Sequence, residues 1–246
     1  MTPAADTTRA RGLDRNSVLW VAGLMWAAVL GGFVPEIVAH VRQSGFTYPL
    51  IVHVHAFVFV GWLALFTVQA GLINTGRRAL HRRLGWVLLG WAVAVVVVGP
   101  ITALIVDGAE YAADHMPPLF LSIQFTDMAA FAGLTGVGFL SRRRPDVHRR
   151  LMLMGTIYLT DAGFGRLIGP LVMSHFPLNP LTFFSYVYAG PDLLMLAVGA
   201  YDLLTVRRLH PAYLAGLAYV AVNQAVALTL AFNPVWMRFA VTLIGH

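Results

Sequence analysis

Long apolar stretches alternate with short polar ones along the whole chain. The stretches reach the roughly 20 residues that an α-helix needs to cross the hydrocarbon core of a bilayer. Charged residues, proline and glycine bound them. The pattern predicts seven transmembrane helices, at residues 17–42, 47–74, 79–106, 117–141, 147–172, 181–206 and 211–232. The predicted fold class is an all-α membrane protein, a seven-helix bundle.

The two ends of the chain differ from this transmembrane domain, which covers residues 17–232. Residues 1–16 form a polar leader that contains three arginines. Residues 233–246 are apolar around Trp236 but are too short to cross a bilayer, so they are predicted to lie at its surface. The first apolar run is too long for a cleavable signal peptide, and we expect helix 1 to be retained.

Arginine is distributed very unevenly between the predicted loops. Fourteen of the 17 arginines fall in the leader and in the loops after helices 2, 4 and 6. Cytoplasmic loops are enriched in basic residues, so this side is predicted to be cytoplasmic. The N-terminus would then lie in the cytoplasm and the C-terminus in the periplasm, in a bacterial inner membrane. This topology explains the pI near 10.2 without a nucleic-acid partner.

Composition agrees with a membrane location and limits the chemistry. Hydrophobic residues make up 58% of the chain and charged residues 11%, with a mean hydropathy of +0.71. Neither lysine nor cysteine occurs. Schiff-base chemistry, thiolate metal sites, iron–sulfur clusters and covalent haem attachment are therefore excluded. Any site must use imidazole, carboxyl, hydroxyl, amide or guanidinium groups.

An internal repeat runs through the arginine-rich loops. Residues 77–83, 143–150 and 207–211 each contain Arg-Arg followed by histidine, spaced by one helical hairpin. We therefore predict one helix followed by three related hairpins. The histidines are interpreted as anchors among anionic lipid headgroups at the cytoplasmic surface, or as part of a site for an anionic group such as a haem propionate. They are His81, His148 and His210.

Polar side chains also fall inside the predicted spans, mostly in the half opposite the arginine-rich loops. Ionisable residues are costly there and usually line a cavity or a pathway, so each is a functional candidate. The candidate metal- or ligand-binding residues are His55, His53, Glu36, His40, Asp127, Asp161 and Asp192. The candidate supporting residues are Arg166, Tyr158, Tyr188, Tyr219, Asn223 and Gln224.

Helical geometry refines this set of candidates. His53 and His55 are two residues apart, which places them on nearly opposite faces of a helix, so only one is predicted to point into the bundle. Prolines stand immediately before Glu36 and Asp192. A proline inside a membrane helix frees a backbone carbonyl, which is tolerated where the backbone lines a cavity or is buried in protein.

The net charge of this cluster limits what can occupy it. Four ionised carboxylates against Arg166 alone would leave three uncompensated negative charges. A membrane interior does not tolerate that imbalance. It would be relieved by protons held on carboxyls or histidines, by a divalent metal with nitrogen and oxygen ligands, or by a cationic substrate.

Three functions fit these features. The favoured hypothesis is a divalent metal or haem b site, with His40 and His55 as conceivable axial ligands, serving redox or metal-dependent chemistry. The second is a proton-coupled carrier of a small ligand, for which a homodimer would supplement the small helix number. The third is an assembly or scaffold protein without catalysis. The sequence alone does not decide whether the protein is an enzyme.

One segment resembles a known type of protein. Residues 53–86 contain an external histidine, Trp62, Gln69 and the run Gly76 to Gly85, which reads G-R-R-A-L-H-R-R-L-G. This is similar to a pattern found in a family of bacterial multi-pass inner-membrane proteins with a G-R-x-x-L-H-R-R-L-G loop. The resemblance implies an inner-membrane setting and implies no particular activity.

The predicted orientation is testable with topology reporters in bacterial cells. Alkaline phosphatase fused after His246 should be active, because that end is expected in the periplasm. The same enzyme fused between residues 142 and 145 should be inactive, whereas a fluorescent protein at that position should be bright. The reverse pattern would contradict the orientation.

Overall fold

The apolar stretches fold into helices throughout the part of the chain that the structure describes. This structure is a computed structural model that describes residues 15–115 and 117–245. Its helices are α1 (Arg15–Ser44), α2 (Leu50–Asn74), α3 (Arg78–Asp114), α4 (Leu121–Leu140), α5 (Pro145–Tyr158), α6 (Asp161–His175), α7 (Pro180–Val206), α8 (Pro211–Ala231) and α9 (Pro234–Ile244). No strand occurs within the described residues.

Six of these helices are long and apolar enough to cross a membrane. They are α1, α2, α3, α4, α7 and α8. Many of their large apolar side chains face outward, as a lipid environment requires. The chain is therefore a multi-pass membrane protein with a helical bundle. Its two ends are called here the arginine-rich end, which carries the loops around residues 75–78, 141–144 and 207–210, and the opposite end.

The predicted fifth span, residues 147–172, is not one helix. It is divided into α5 and α6 by a tight turn at Leu159 and Thr160, and neither half is long enough to cross alone. The Thr160 hydroxyl donates to the carbonyl oxygen of Ile157 at 2.6 Å, a local bond that competes with the helical pattern. Asp161 then stands in the first turn of α6, where a carboxyl is favourable. A count of seven uninterrupted helices is thus not established.

Two other boundaries differ from the prediction. The third helix continues to Asp114 and does not end near residue 106, so Asp107 is buried inside α3 instead of lying in a loop. The segment after residue 233 forms α9, whose Ala240 and Ile244 are buried in a small second core with Ala103 and Leu121. The polar leader lies mostly outside the described residues.

The hairpin architecture holds for two of the three repeats. Helix α2 packs along α3, and α4 packs along α5. In the third repeat, α7 packs mainly on α6, and α8 packs mainly on α4. The third hairpin is therefore opened, and its two helices lie against different neighbours. The core between the helices includes Trp62, which packs edge-on against Phe131 at 4.8 Å.

Charged residues at the arginine-rich end join helices to one another. Arg150 on α5 forms an ion pair with Asp202 on α7 at 2.6 Å, with exposed fractions of 6% and 0%. His210 bonds to Asp146 at 2.8 Å. Polar side chains within the spans were predicted mostly for the opposite half of the bundle, and this buried pair is a correction. Removing one partner would leave a buried charge without compensation.

Helices α1 and α6 come into backbone contact beside the turn at residues 159–160. A methyl group added to Gly32 would lie 2.3 Å from the backbone oxygen of Gly163. One added to Gly163 would lie 3.0 Å from the backbone oxygen of Ala28. Small residues allow this close approach, which is a common basis of helix association in membranes.

A pair of matched substitutions tests this contact. Gly32→Ala should lower the free energy of unfolding by about 1–3 kcal/mol, because the added methyl group overlaps backbone that has little room to shift. Gly23→Ala on the same helix is the control, since nothing lies within 4 Å of its added methyl group. The control should be neutral or stabilising by up to about 1 kcal/mol. Thermal unfolding in detergent measures both, and equal effects would contradict the contact.

Candidate functional site

Two carboxyl groups from different helices meet in the middle of the bundle. Asp127 on α4 and Asp161 at the start of α6 are close enough to hydrogen bond through their side chains. Asp127 is only 5% exposed, and the Tyr188 hydroxyl reaches its Oδ1 at 3.4 Å. The turn between α5 and α6 makes this meeting possible, because it places Asp161 at the first residue of a new helix.

A carboxyl–carboxyl hydrogen bond has a fixed requirement for protons. Ionised carboxylates only accept hydrogen bonds, so a bond between two of them needs a proton on one. Two neighbouring negative charges in a buried site also repel each other, so ionisation of both carboxyl groups at once is unfavourable. The placement of Asp127 beside Asp161 is therefore suited to a pair that shares a proton.

Two tyrosines form one wall of this carboxyl pair. The rings of Tyr158 and Tyr188 are stacked, with centroids 5.8 Å apart and planes 11° from parallel. Both are almost completely buried. The Tyr158 hydroxyl lies beside Asp127 and interacts with it electrostatically. A buried polar hydroxyl thus lies next to the carboxyl pair.

An ion pair lies between the carboxyl pair and the opposite end of the bundle. Arg166 on α6 donates from Nε to Glu36 on α1, and its guanidinium lies 4.2 Å from the centroid of the Phe33 ring. Both charged groups are partly exposed. Arg166 also interacts electrostatically with Asp161. It is therefore the cationic neighbour that connects the inner carboxyl pair to the surface.

His55 is the histidine of α2 that points inward. Its ring stacks on Phe59 at 3.9 Å, and its Nδ1 is buried without a hydrogen-bond partner among the described residues. It interacts electrostatically with Arg166. His53 is exposed on the other face, where its Nδ1 bonds to the backbone oxygen of Pro49 at 3.2 Å. The expectation that only one of the two faces the bundle agrees with this arrangement.

Two predicted candidates lie apart from this group at the surface. His40 stacks on Tyr48 at 4.0 Å and contacts the Thr47 hydroxyl at 3.1 Å. Tyr48 in turn meets the ring of His53 edge-on at 6.3 Å. His40, Tyr48 and His53 thus form an aromatic cluster of their own. His40 and His55 are each held by local ring contacts, and nothing in their contacts marks them as an axial pair for haem.

Asp192 belongs to a different contact between α7 and α8. The Gln224 amide donates to its Oδ1 at 2.8 Å, so a neutral group satisfies this carboxyl. Asn223 donates to the backbone of Tyr219 at 2.8 Å, and Tyr219 donates to the backbone of Ala129 at 2.9 Å. These amide and hydroxyl groups are used within and between helices, and they do not converge on Asp127.

The candidates do not assemble into a metal centre. Across residues 15–115 and 117–245, no group of three His, Asp or Glu side chains is arranged to hold a metal ion. The expected divalent metal or haem at the predicted site residues is therefore without support in the geometry. The physical reason is that the excess negative charge is distributed: Glu36 pairs with Arg166, Asp192 with an amide, and Asp127 with Asp161.

Two buried carboxyls were missed in the sequence. Asp107 on α3 lies beside Gln124 on α4, and its Oδ2 is buried without a hydrogen-bond partner in the described chain. Asp202 is fully buried against Arg150. Asp202 could have been recognised as a candidate from the sequence, because it lies inside a predicted span about one turn from the arginine-rich end. Asp107 was hidden by the misplaced end of helix 3.

The repeat histidines connect helices at the arginine-rich end. His81 Nδ1 lies 3.3 Å from the backbone oxygen of Gln69, and His148 Nδ1 lies 2.8 Å from that of Gly138. Both rings are partly buried. These two histidines therefore hold the start of one helix against the end of the preceding one. Binding of anionic lipid headgroups by the surrounding arginines stays a prediction.

Comparisons with known proteins add no further identification. No family model, no curated protein and no solved structure matches this chain.

Proposed function

We propose that this protein is a proton-coupled carrier of a small ligand, and that Asp127 and Asp161 form its proton-binding site. The observation that carries the proposal is the close approach of these two carboxyl groups inside the bundle, where a proton on one could bond to the other. Intramembrane carboxyls that hold protons are typical of pumps and transporters. A scaffold protein has no comparable need for a charge-sensitive pair in its interior.

The broken fifth segment supports movement at this site. Asp161 belongs to a half-helix, α6, that is separated from α5 by the turn at residues 159–160. Transporters commonly place substrate and ion sites at such discontinuous helices, because the two halves can tilt independently. Prolines inside α1, α3, α6 and α7 add further points of weakness: Pro35, Pro100, Pro170 and Pro191.

Loss of the shared proton provides the coupling step. With both Asp127 and Asp161 ionised, the pair repels itself, and Asp161 competes with Glu36 for the guanidinium of Arg166. Arg166 and Asp161 both belong to α6, whereas Glu36 belongs to α1. If Arg166 exchanged Glu36 for Asp161, the ion pair between α6 and α1 would be lost and the two helices could shift relative to each other. The proton would enter from the opposite end of the bundle, past Arg166 and Glu36, and would leave toward the arginine-rich end as the ligand crosses. The ligand would bind beside the Tyr158 hydroxyl.

The setting follows from the sequence prediction. We place the arginine-rich end in the cytoplasm of a bacterial cell and the opposite end in the periplasm. The proton site would then be loaded from the periplasm, which is the side of high proton activity in a respiring cell. A homodimer, proposed to supplement the small number of helices, is compatible with this arrangement.

Proton movement in reconstituted vesicles tests the proposal. Vesicles with the purified protein and an internal pH-sensitive dye would be exposed to a panel of amino acids, small amines and small organic acids under an imposed pH gradient. At least one compound should accelerate the internal pH change in wild-type vesicles. Asp127→Asn and Asp161→Asn should reduce that response to the protein-free rate, because neither variant retains the carboxyl pair.

Matched controls identify the site. His53→Ala removes an exposed histidine outside the carboxyl pair and should retain the wild-type response. Asp192→Asn changes a carboxyl in the same bundle that is bonded to Gln224, and it should retain most of the response. The proposal would be wrong if no compound moved protons in wild-type vesicles, or if Asp127→Asn and Asp161→Asn both responded like wild type.

A further inference from the structure

Two histidines of the sequence repeat form a pair at the arginine-rich end, at the far end of α5 from the turn that precedes Asp161. The ring centroids of His81 on α3 and His148 on α5 are 6.3 Å apart, and the ring planes are 83° from parallel. They stand in the first turns of helices that follow equivalent loops. The repeat therefore brings together two imidazoles that the proton-coupled mechanism does not use.

Hydrogen bonding determines which nitrogen of each ring is available. A backbone carbonyl only accepts, so the Nδ1 atoms that contact Gln69 and Gly138 carry the hydrogen. The Nε2 atom of each neutral ring is then left with a lone pair. No hydrogen bond to either Nε2 forms within the described residues. An imidazole whose Nδ1–H is held by a carbonyl, with Nε2 available, is the usual arrangement of a metal-ligating histidine.

The ring separation indicates how an ion would be held. A ring centroid lies about 1.1 Å behind Nε2, and metal–nitrogen distances are about 2.0–2.1 Å. Two rings on opposite sides of one ion would thus have centroids about 6 Å apart, whereas a tetrahedral angle would bring them to about 5 Å. The observed centroid separation of 6.3 Å leaves room for one ion between the two rings.

The surroundings favour an ion of low charge and low coordination number. Arg82 interacts electrostatically with His81, so a divalent charge would be repelled more strongly than a monovalent one. No third His, Asp or Glu joins the pair in the described chain, so a four-coordinate ion would lack protein ligands. Among the metals that imidazole binds, copper has a monovalent state that accepts two opposed ligands, so it fits both conditions.

A buried amide beside the pair supports a polar ligand at this place. The side chain of Gln69 is 5% exposed, and neither of its amide atoms has a hydrogen-bond partner in the described residues. It lies beside Gly85, one turn along α3 from His81. An orphaned amide is costly in a helical interface, so a polar group bound at this place would be favourable.

We infer that His81 and His148 form a binding site for one Cu⁺ ion at the arginine-rich end, held by the two Nε2 atoms. This site goes beyond the proposed transport function and does not depend on it. His210 supplies a control from the same repeat, because its Nε2 bonds to Asp146 and its Nδ1 accepts from the Ala212 amide. Both nitrogens of His210 are thus already engaged.

Competition for Cu⁺ tests the inference. Purified protein in detergent would be titrated anaerobically, with ascorbate, against a coloured Cu⁺ chelator. Wild type and His210→Ala should each remove one equivalent of the ion. His81→Ala and His148→Ala should bind on the order of 100-fold more weakly, because each lacks one of two ligands. Thermal unfolding without metal would verify that the variants are folded.

A direct measurement keeps the inference testable if a variant fails to fold. X-ray absorption of the wild-type protein loaded with Cu⁺ should show two nitrogen ligands of the imidazole type. Failure of the wild type to compete with the chelator would overturn the site. Equal binding by His81→Ala and His148→Ala would overturn the ligand assignment. Equally tight binding of Zn²⁺ at these histidines would overturn the choice of a monovalent ion.

Discussion

The close approach of the carboxyl groups of Asp127 and Asp161 is the contact on which the proposed function depends. It exists because the chain interrupts a transmembrane segment at Leu159 and Thr160 and begins α6 with an acidic residue. If α5 continued through residue 161 as one helix, the Asp161 side chain would point in a different direction and its distance to α4 would change. The broken helix and the carboxyl pair are therefore one structural feature.

The packing around the turn keeps that feature in place. Immediately after the turn, Gly163 approaches the backbone of α1 near Gly32, so α6 cannot move away from α1 without loss of close contact. The same pair of helices carries Arg166 and Glu36 on their outer parts. At the arginine-rich end, Arg150 ties α5 to α7 through the buried carboxyl of Asp202. Charge balance and helix packing thus reinforce each other from one end of the bundle to the other.

Much of this architecture could be read from the sequence. Six membrane helices and their approximate boundaries follow from apolar length, and helical geometry predicts that only one of His53 and His55 points inward. The broken fifth segment did not follow, because its apolar residues continue through the turn and the local bond of Thr160 is invisible to hydropathy. The partners of the carboxyls did not follow either, because Glu36 meets Arg166 across 130 residues of chain. Tertiary contacts of that kind depend on which helices become neighbours.

Infrared spectroscopy of the purified protein at neutral pH tests the shared proton most directly. A protonated carboxyl has a C=O stretching band that a carboxylate lacks, and the band shifts on hydrogen–deuterium exchange. Wild-type protein should show such a band, and Asp127→Asn and Asp161→Asn should each lose the component that Asp192→Asn retains. A spectrum in which neither substitution removes any protonated-carboxyl signal would contradict the shared proton and, with it, the proposed function.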